Sequence, residues 1–212
     1  MNNIEQKVAD CLLQIKAVQL RPNDPFTWAS GWKSPIYCDN RKTLSYPSIR
    51  SAIADYMVEE INEYFKNVDV IAGVATGAIA IGMLVADRLG KPFIYIRPKP
   101  KDHGTGSQIE GEFKRGDNVV IVEDLISTGM SSLAAAAAVS AAGCIVSGMV
   151  AIFSYNFPQA RRAFENANLE LHTLSNYDAL LEEALSQNYI RQEDLEVLKE
   201  WRYRPSTWGQ TQ

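Results

Sequence analysis

Cysteine and histidine are scarce in this chain. Its 212 residues hold three cysteines, Cys11, Cys38 and Cys144, with no Cys-x-x-Cys spacing, and two histidines, His103 and His172, far apart. That distribution argues against a disulfide framework and a zinc centre, and fits a reducing, cytoplasmic setting. An excess of positive charge is missing too. The 21 basic and 25 acidic residues leave a net charge of −4, which suits neither a nucleic-acid binder nor any protein that covers a polyanion over a broad surface. Any anion site must be local. The first twenty residues carry Glu5, Lys7, Asp10 and Lys16, so no uninterrupted apolar export signal is expected there. One long uncharged stretch runs from Leu125 to Ala160. It is rich in Ala, Ser and Gly, which gain little from lipid, and Gly143 interrupts it. It reads as a buried helix followed by a buried strand, with no membrane association.

What is present is ordinary for a globular chain: 46% hydrophobic and 22% charged residues, in a length that predicts one domain. Ile4, Val8, Cys11, Leu12 and Ile15 share a helical face, and residues 47–66 repeat the pattern. Short apolar runs bounded by turn residues follow at 68–73, 92–97, 118–122 and 145–153. Helical segments lie between them at 77–89, stopped by Gly90, and at 129–142, stopped by Gly143. Residues 175–205 read as two helices outside the sheet, and the last seven residues are expected to fray. Apolar strands alternating with helices predict an α/β fold with a parallel sheet flanked by helices, Rossmann-like in architecture.

In such sheets ligands bind beyond the carboxyl ends of the strands. The most informative loop follows the run at 118–122: Glu123-Asp124-Leu125-Ile126-Ser127-Thr128-Gly129-Met130-Ser131. A strand ends in two carboxylates and passes through hydroxyl residues and a glycine into a helix, whose free N–H groups form a phosphate cup. Carboxylates beside a phosphate must face something else, such as sugar hydroxyls or magnesium, so the combination describes a phosphorylated ribose. A plainer alternative makes Ser127 or Thr128 a helix N-cap and the two acids helix-dipole partners. Other nucleotide motifs fail. A Walker loop needs lysine where Met130 stands, and a dinucleotide fingerprint starting at Gly104 needs glycine where Ile109 stands.

A second loop, Arg97 to Gly111, concentrates Arg97, Lys99, Lys101 and His103 near glycines in an otherwise acidic chain. Such a cluster is often a solvated turn, but it also suits a lid that closes over a polyanion.

The string 119–131 resembles the signature of the type I phosphoribosyltransferases, enzymes that use 5-phosphoribosyl 1-diphosphate (PRPP). The pattern Arg-x-x-x-Lys-Asp-His-Gly beginning at Arg97 is similar to the mobile catalytic loop of the orotate branch of that family. Residues 26–41, from Phe26 to Arg41, resemble that branch's base-binding hood. The resemblance spans about residues 20–155 and divides the chain into a helix and hood (1–45), an α/β core (46–174) and C-terminal helices (175–212).

The resemblance implies transfer of a phosphoribosyl group from PRPP to orotate, giving orotidine 5′-monophosphate and pyrophosphate in pyrimidine biosynthesis. It implies a homodimer with shared sites. Magnesium is held through PRPP and water, with no direct protein ligand. Glu123 and Asp124 are expected at the ribose hydroxyls, and Leu125, Ile126, Ser127, Thr128, Gly129, Met130 and Ser131 around the 5′-phosphate. Arg97, Lys99, Lys101 and His103 are expected over the pyrophosphate, with Thr76 beneath it; Ile36, Tyr37, Arg41 and Ser127 are expected at orotate. Several positions depart from the pattern. Pro98, Thr76 and Ala29 stand where some members carry a basic residue, and Ser154-Tyr155 where some carry an arginine for the orotate carboxylate. Backbone amides of the hood or Arg41 remain as its partners. Two rivals stay open: a purine-type phosphoribosyltransferase, and a regulatory relative that senses PRPP.

Overall fold

A computed structural model describes residues 3–28, 30–99 and 108–209. The chain begins with α1 (Asn3–Gln14), then the short strands β1 (Val18–Leu20), β2 (Phe26–Thr27), β3 (Lys33–Ser34) and β4 (Ile36–Cys38). β1 pairs with β4 and β2 with β3, both antiparallel, which builds the hood. A 3₁₀ turn at Asn40–Ser45 leads into α2 (Pro47–Tyr64), with Pro47 in its first turn, where its missing N–H costs nothing.

The α/β part follows as β5 (Val70–Val74), α3 (Ile79–Leu89), β6 (Phe93–Ile96), β7 (Ile109–Glu110), β8 (Asn118–Ile126), α4 (Met130–Ala141) and β9 (Ile145–Ser154). It ends with α5 (Pro158–Asn166), β10 (Leu171–Asn176), α6 (Tyr177–Ser186) and α7 (Asp194–Tyr203). One sheet runs in the order β10-β9-β8-β5-β6-β7. Its pairs are parallel except β7 on β6. β5 is buried along its whole length, as an apolar strand covered on both faces must be. Gly90 ends α3 in the left-handed conformation at φ 61°, as the sequence predicts.

Three features differ from the sequence reading. β8 runs to Ile126, four residues beyond the apolar run, because Glu123 to Ile126 continue to pair with Ala151 to Ser154 on β9. α5 and β10 fall in a stretch with no clear apolar period: β10 reads LHTLSN, and α5 buries only Ala160 and Phe164. β7 is a two-residue antiparallel strand at the base of the basic loop. The uncharged stretch is otherwise α4 followed by β9, and among the described residues no helix is long and apolar enough to cross a membrane.

From β5 the chain crosses to β6 on one side, yet β8 lies on β5's other side. The order reverses between β5 and β8, and at that reversal the two connecting helices diverge and open a crevice beyond the strand ends. The register Gly73↔Val122 brings the loop after β5 beside the last residues of β8.

Candidate active site

The extension of β8 separates the two acids. Successive strand residues face opposite sides, so Glu123 and Asp124 cannot point the same way. Glu123 is 4% exposed and turns inward. Its Oε2 accepts from Ser132 Oγ on α4 at 2.9 Å, and its Oε1 accepts from the Asp124 N–H at 3.0 Å. Burial, followed by the adjacent Asp124 charge, pushes its carboxyl up to about 8. Of the two acids expected at the ribose hydroxyls, Asp124 presents the more open carboxylate, and Glu123 braces β8 against α4.

Asp124 projects over the loop after β5. A Cβ built on Gly77 would lie 2.4 Å from the Asp124 carboxyl carbon, so the loop reaches this carboxylate only because residue 77 lacks a side chain. The Ala75–Thr76 peptide there is cis, and Thr76 is exposed at the crevice. Asn40, 2% exposed, donates its Nδ2 to the Asp124 carbonyl at 2.6 Å, tying the hood to the end of β8.

The plainer alternative for Ser127 and Thr128 fails on geometry. The N-cap of α4 is Gly129, at φ 81°, with no side-chain cap. Glycine is required there twice over: by the positive φ, and by Phe164, whose Cε2 would lie 2.9 Å from an added Cβ. An uncapped N-terminus leaves first-turn N–H groups for a ligand. Ser127 and Thr128 sit half-buried at the rim, Ser131 is exposed and Met130 is 75% exposed, while Ile126 faces the core.

On the other side of Asp124 lies a cavity of about 300 Å³ lined by Thr27, Trp28, Tyr37, Cys38, Leu125, Ser127 and Tyr155. Among the described residues no charged side chain lines it. Cys38 Sγ donates to Asn40 Oδ1 at 3.3 Å; burial, then the Asp124 and Asp39 charges, holds its thiol well above the ordinary range. Ile36 is fully buried beneath this wall, and its carbonyl accepts from Trp28 Nε1 at 3.1 Å. Arg41 binds Asp39 Oδ1 through Nε at 2.7 Å, outside the lining. Trp28, Cys38, Asn40 and Tyr155 were not singled out from the sequence as contacts. Trp28, Cys38 and Asn40 lie within the hood string, where a tryptophan and an amide flanking a short strand were the available signal.

Arg97 directly follows β6 and reaches Glu110 at 3.6 Å, and the loop's stem is closed by Arg97 N–H to Gln108 O and Gln108 Nε2 to Arg97 O, each 2.8 Å. Lys99 is exposed. Lys101 and His103 lie outside the described residues, as does Ala29. A larger groove of about 940 Å³ runs between α5 and the α6–α7 pair, but its arginines are paired with its own acids, Arg202 with Asp178 and Arg161 with Glu165.

The Phosphoribosyl transferase domain family matches residues 43–163. An orotate phosphoribosyltransferase of Porphyromonas gingivalis is 56% identical over 99% of this chain and 100% of its own length. Among solved structures, orotate phosphoribosyltransferase from Aeropyrum pernix is similar with a TM-score of 0.71 and 28% identity, over 83% of this chain and 98% of that one. The UMP synthase of Leishmania donovani is similar at a TM-score of 0.77 and 28% identity; the match covers 93% of this chain, which spans 42% of that longer protein.

Proposed function

The chain belongs to the orotate phosphoribosyltransferases, and from that membership and the crevice's geometry we propose that it transfers the 5-phosphoribosyl group of PRPP to orotate, releasing pyrophosphate. One juxtaposition carries the reading: an open carboxylate, an uncapped helix N-terminus and a neutral cavity roomy enough for one pyrimidine, all within reach of residues 124–130. Breaking the bond between ribose C1 and pyrophosphate develops positive charge on the sugar and negative charge on the leaving group, as in glycoside chemistry. No covalent nucleophile is needed, so the protein's contribution is positioning and fixed charge. Asp124 holds the ribose hydroxyls, the N–H groups and hydroxyls of residues 127–131 hold the 5′-phosphate, and Arg97, Lys99, Lys101 and His103 cover the pyrophosphate, above Thr76.

Magnesium fits this donor set only in one way. Among the described residues no three histidine, cysteine or acidic side chains converge, and Glu123 is engaged inside the fold. Asp124 would therefore hold the ion through sugar oxygens and water, as magnesium usually permits. When bound, it neutralises pyrophosphate charge. Three cysteines left as thiols support a cytoplasmic setting.

Orotate, xanthine and adenine assayed side by side with PRPP and magnesium test the reading. Orotate should be consumed and the purines left; equal or faster turnover of a purine overturns it. The same reading pairs two subunits so that the lid of one covers the cup of the other. Inactive Lys101→Ala and Asp124→Asn proteins, unfolded and refolded together, should then regain about a quarter of wild-type activity, from half the dimers and half their sites. No recovery in mixed dimers verified by mass rules out the shared site.

A further inference from the structure

Transfer brings together two atoms that the chain holds from different elements. The attacking nitrogen of the base must come within about 3–3.5 Å of ribose C1, and a misplacement near 1 Å costs about a hundredfold in rate. The base side is largely hood, since Thr27, Trp28, Tyr37 and Cys38 line the cavity. The sugar side is Asp124, on a part of β8 that overhangs its neighbour. The register with β5 ends at Gly73↔Val122, so beyond Val122 the strand is paired with β9 alone.

Asn40 bridges the hood to that overhang. It opens the 3₁₀ turn after β4, is 2% exposed, and lies 84 residues from Asp124 in sequence. Its Nδ2 donates to the Asp124 carbonyl at 2.6 Å, and its Oδ1 accepts from Cys38 Sγ at 3.3 Å. Its own carbonyl accepts from the hydroxyl of buried Thr43 at 2.6 Å, so the side chain is aimed from a fixed backbone. Among the described residues no other hydrogen bond joins the hood to β8. Chemistry decides the residue type here: a carbonyl needs a donor, a thiol needs an acceptor, and a primary amide supplies both from one planar group. One bond reaches the cavity wall, and the other reaches the residue that bears the open carboxylate.

We propose that Asn40 is a positioning residue that fixes the base cavity relative to the Asp124 carboxylate; the inference rests on the orotate reading above. Asn40 lines neither half of the site. Each half is built by its own elements and binds its own substrate, while the amide keeps the two in one frame. Loss of Asn40 therefore damages alignment more than binding, which places its effect on kcat rather than on KM.

In the full-length protein Asn40→Leu removes both bonds at similar volume. With rates taken per folded molecule, folding being measured by urea unfolding, kcat should fall about ten- to a hundredfold while the KM for orotate and that for PRPP each stay within about threefold. A merely structural role would lower stability and leave the turnover of folded molecules alone. Asn40→Asp adds a rescue. As a carboxylate, residue 40 offers only acceptors to the Asp124 carbonyl; once protonated, it regains a donor. Asp124 on β8 and Asp39 on the hood are the charges bearing on neighbouring Cys38, and Arg41 is paired to Asp39, so a carboxyl placed here titrates above the ordinary aspartate range. Its kcat, relative to wild type at each pH, should recover severalfold as pH falls from about 8 to about 6, whereas the Asn40→Leu ratio stays flat. Normal kcat in folded Asn40→Leu, or a loss carried by KM, overturns the proposal. An Asn40→Asp ratio that does not change with pH overturns it too, and that variant carries the test should Asn40→Leu not fold. A wild type that does not use orotate overturns the functional reading, a result distinct from an active wild type beside variants of normal turnover.

Discussion

Residues 124–131, one strand end and one helix start, carry the carboxylate, hydroxyls and N–H groups of the proposed phosphate cup, whereas the cavity beside them draws on residues 27, 28, 37, 38, 125, 127 and 155. The cup is local. Its shape follows from where β8 stops and where Gly129 turns the chain into α4. The cavity is assembled from the hood, the ends of β8 and β9, and an aromatic cluster anchored on α7. A local site should respond sharply to changes in its own few residues and weakly to distant ones. An assembled site should respond to residues that touch no ligand.

The largest effect expected lies in the cup. Asp124→Asn should keep the fold, since the side chain is only half-buried at a strand end, and lower turnover about 10- to 1000-fold. Normal kinetics in a folded variant would show that the carboxylate does not meet substrate. Gly77→Ala comes next: its new Cβ must displace the Asp124 carboxylate, so kcat/KM should fall roughly 10- to 100-fold, with a melting temperature close to wild type. A fully active Gly77→Ala protein would mean that the loop yields instead, and that Asp124 is not fixed by it.

The assembled side is probed through α7. Trp201 is fully buried and packs on Trp28, Tyr155, Phe157 and Tyr177, with centroids 5.3 to 5.6 Å away. Among the described residues its Nε1 has no partner, so what it contributes to this cluster is the packing of its ring. Trp201→Leu should cost about 3 kcal/mol of stability and raise the orotate KM several-fold, leaving that for PRPP unchanged. Parallel rises in both constants would erase the distinction between the two halves.

That distinction also governs what the sequence conveys. The cup is legible because the chemistry lies in one contiguous string, and because strands buried on both faces announce themselves as apolar runs. The separation of Glu123 from Asp124 is not legible, because acids after an apolar run look like a loop, and only pairing with β9 shows that the pleat continues. β10 escapes notice as an edge strand with Thr173, Ser175 and Asn176 in it, and α5 because it spans nine residues and buries two. Tyr155 reads as one more aromatic after a strand; its place in the cavity depends on Trp28 and Trp201, 127 and 46 residues away in sequence.

The smallest effect on turnover, and a clean separation of the acidic pair, is expected from Glu123→Gln. Glu123 titrates near 8 in the folded protein, against about 4.3 for an unfolded glutamate. Between those values the folded chain holds a proton that the unfolded chain has released. Stability from this group is therefore fully present below about pH 4.3 and is lost as pH rises through about 8, a change on the order of several kcal/mol. Glutamine keeps the shape and can accept from the Asp124 N–H and donate to Ser132, but it does not titrate. The variant's stability, from urea unfolding at pH 5, 6, 7 and 8, should be flatter than that of the wild type and should exceed it at pH 8, while turnover falls less than about tenfold. If the two proteins lose stability in parallel across that range, Glu123 is ionised in the folded state and its burial is not what separates it from Asp124.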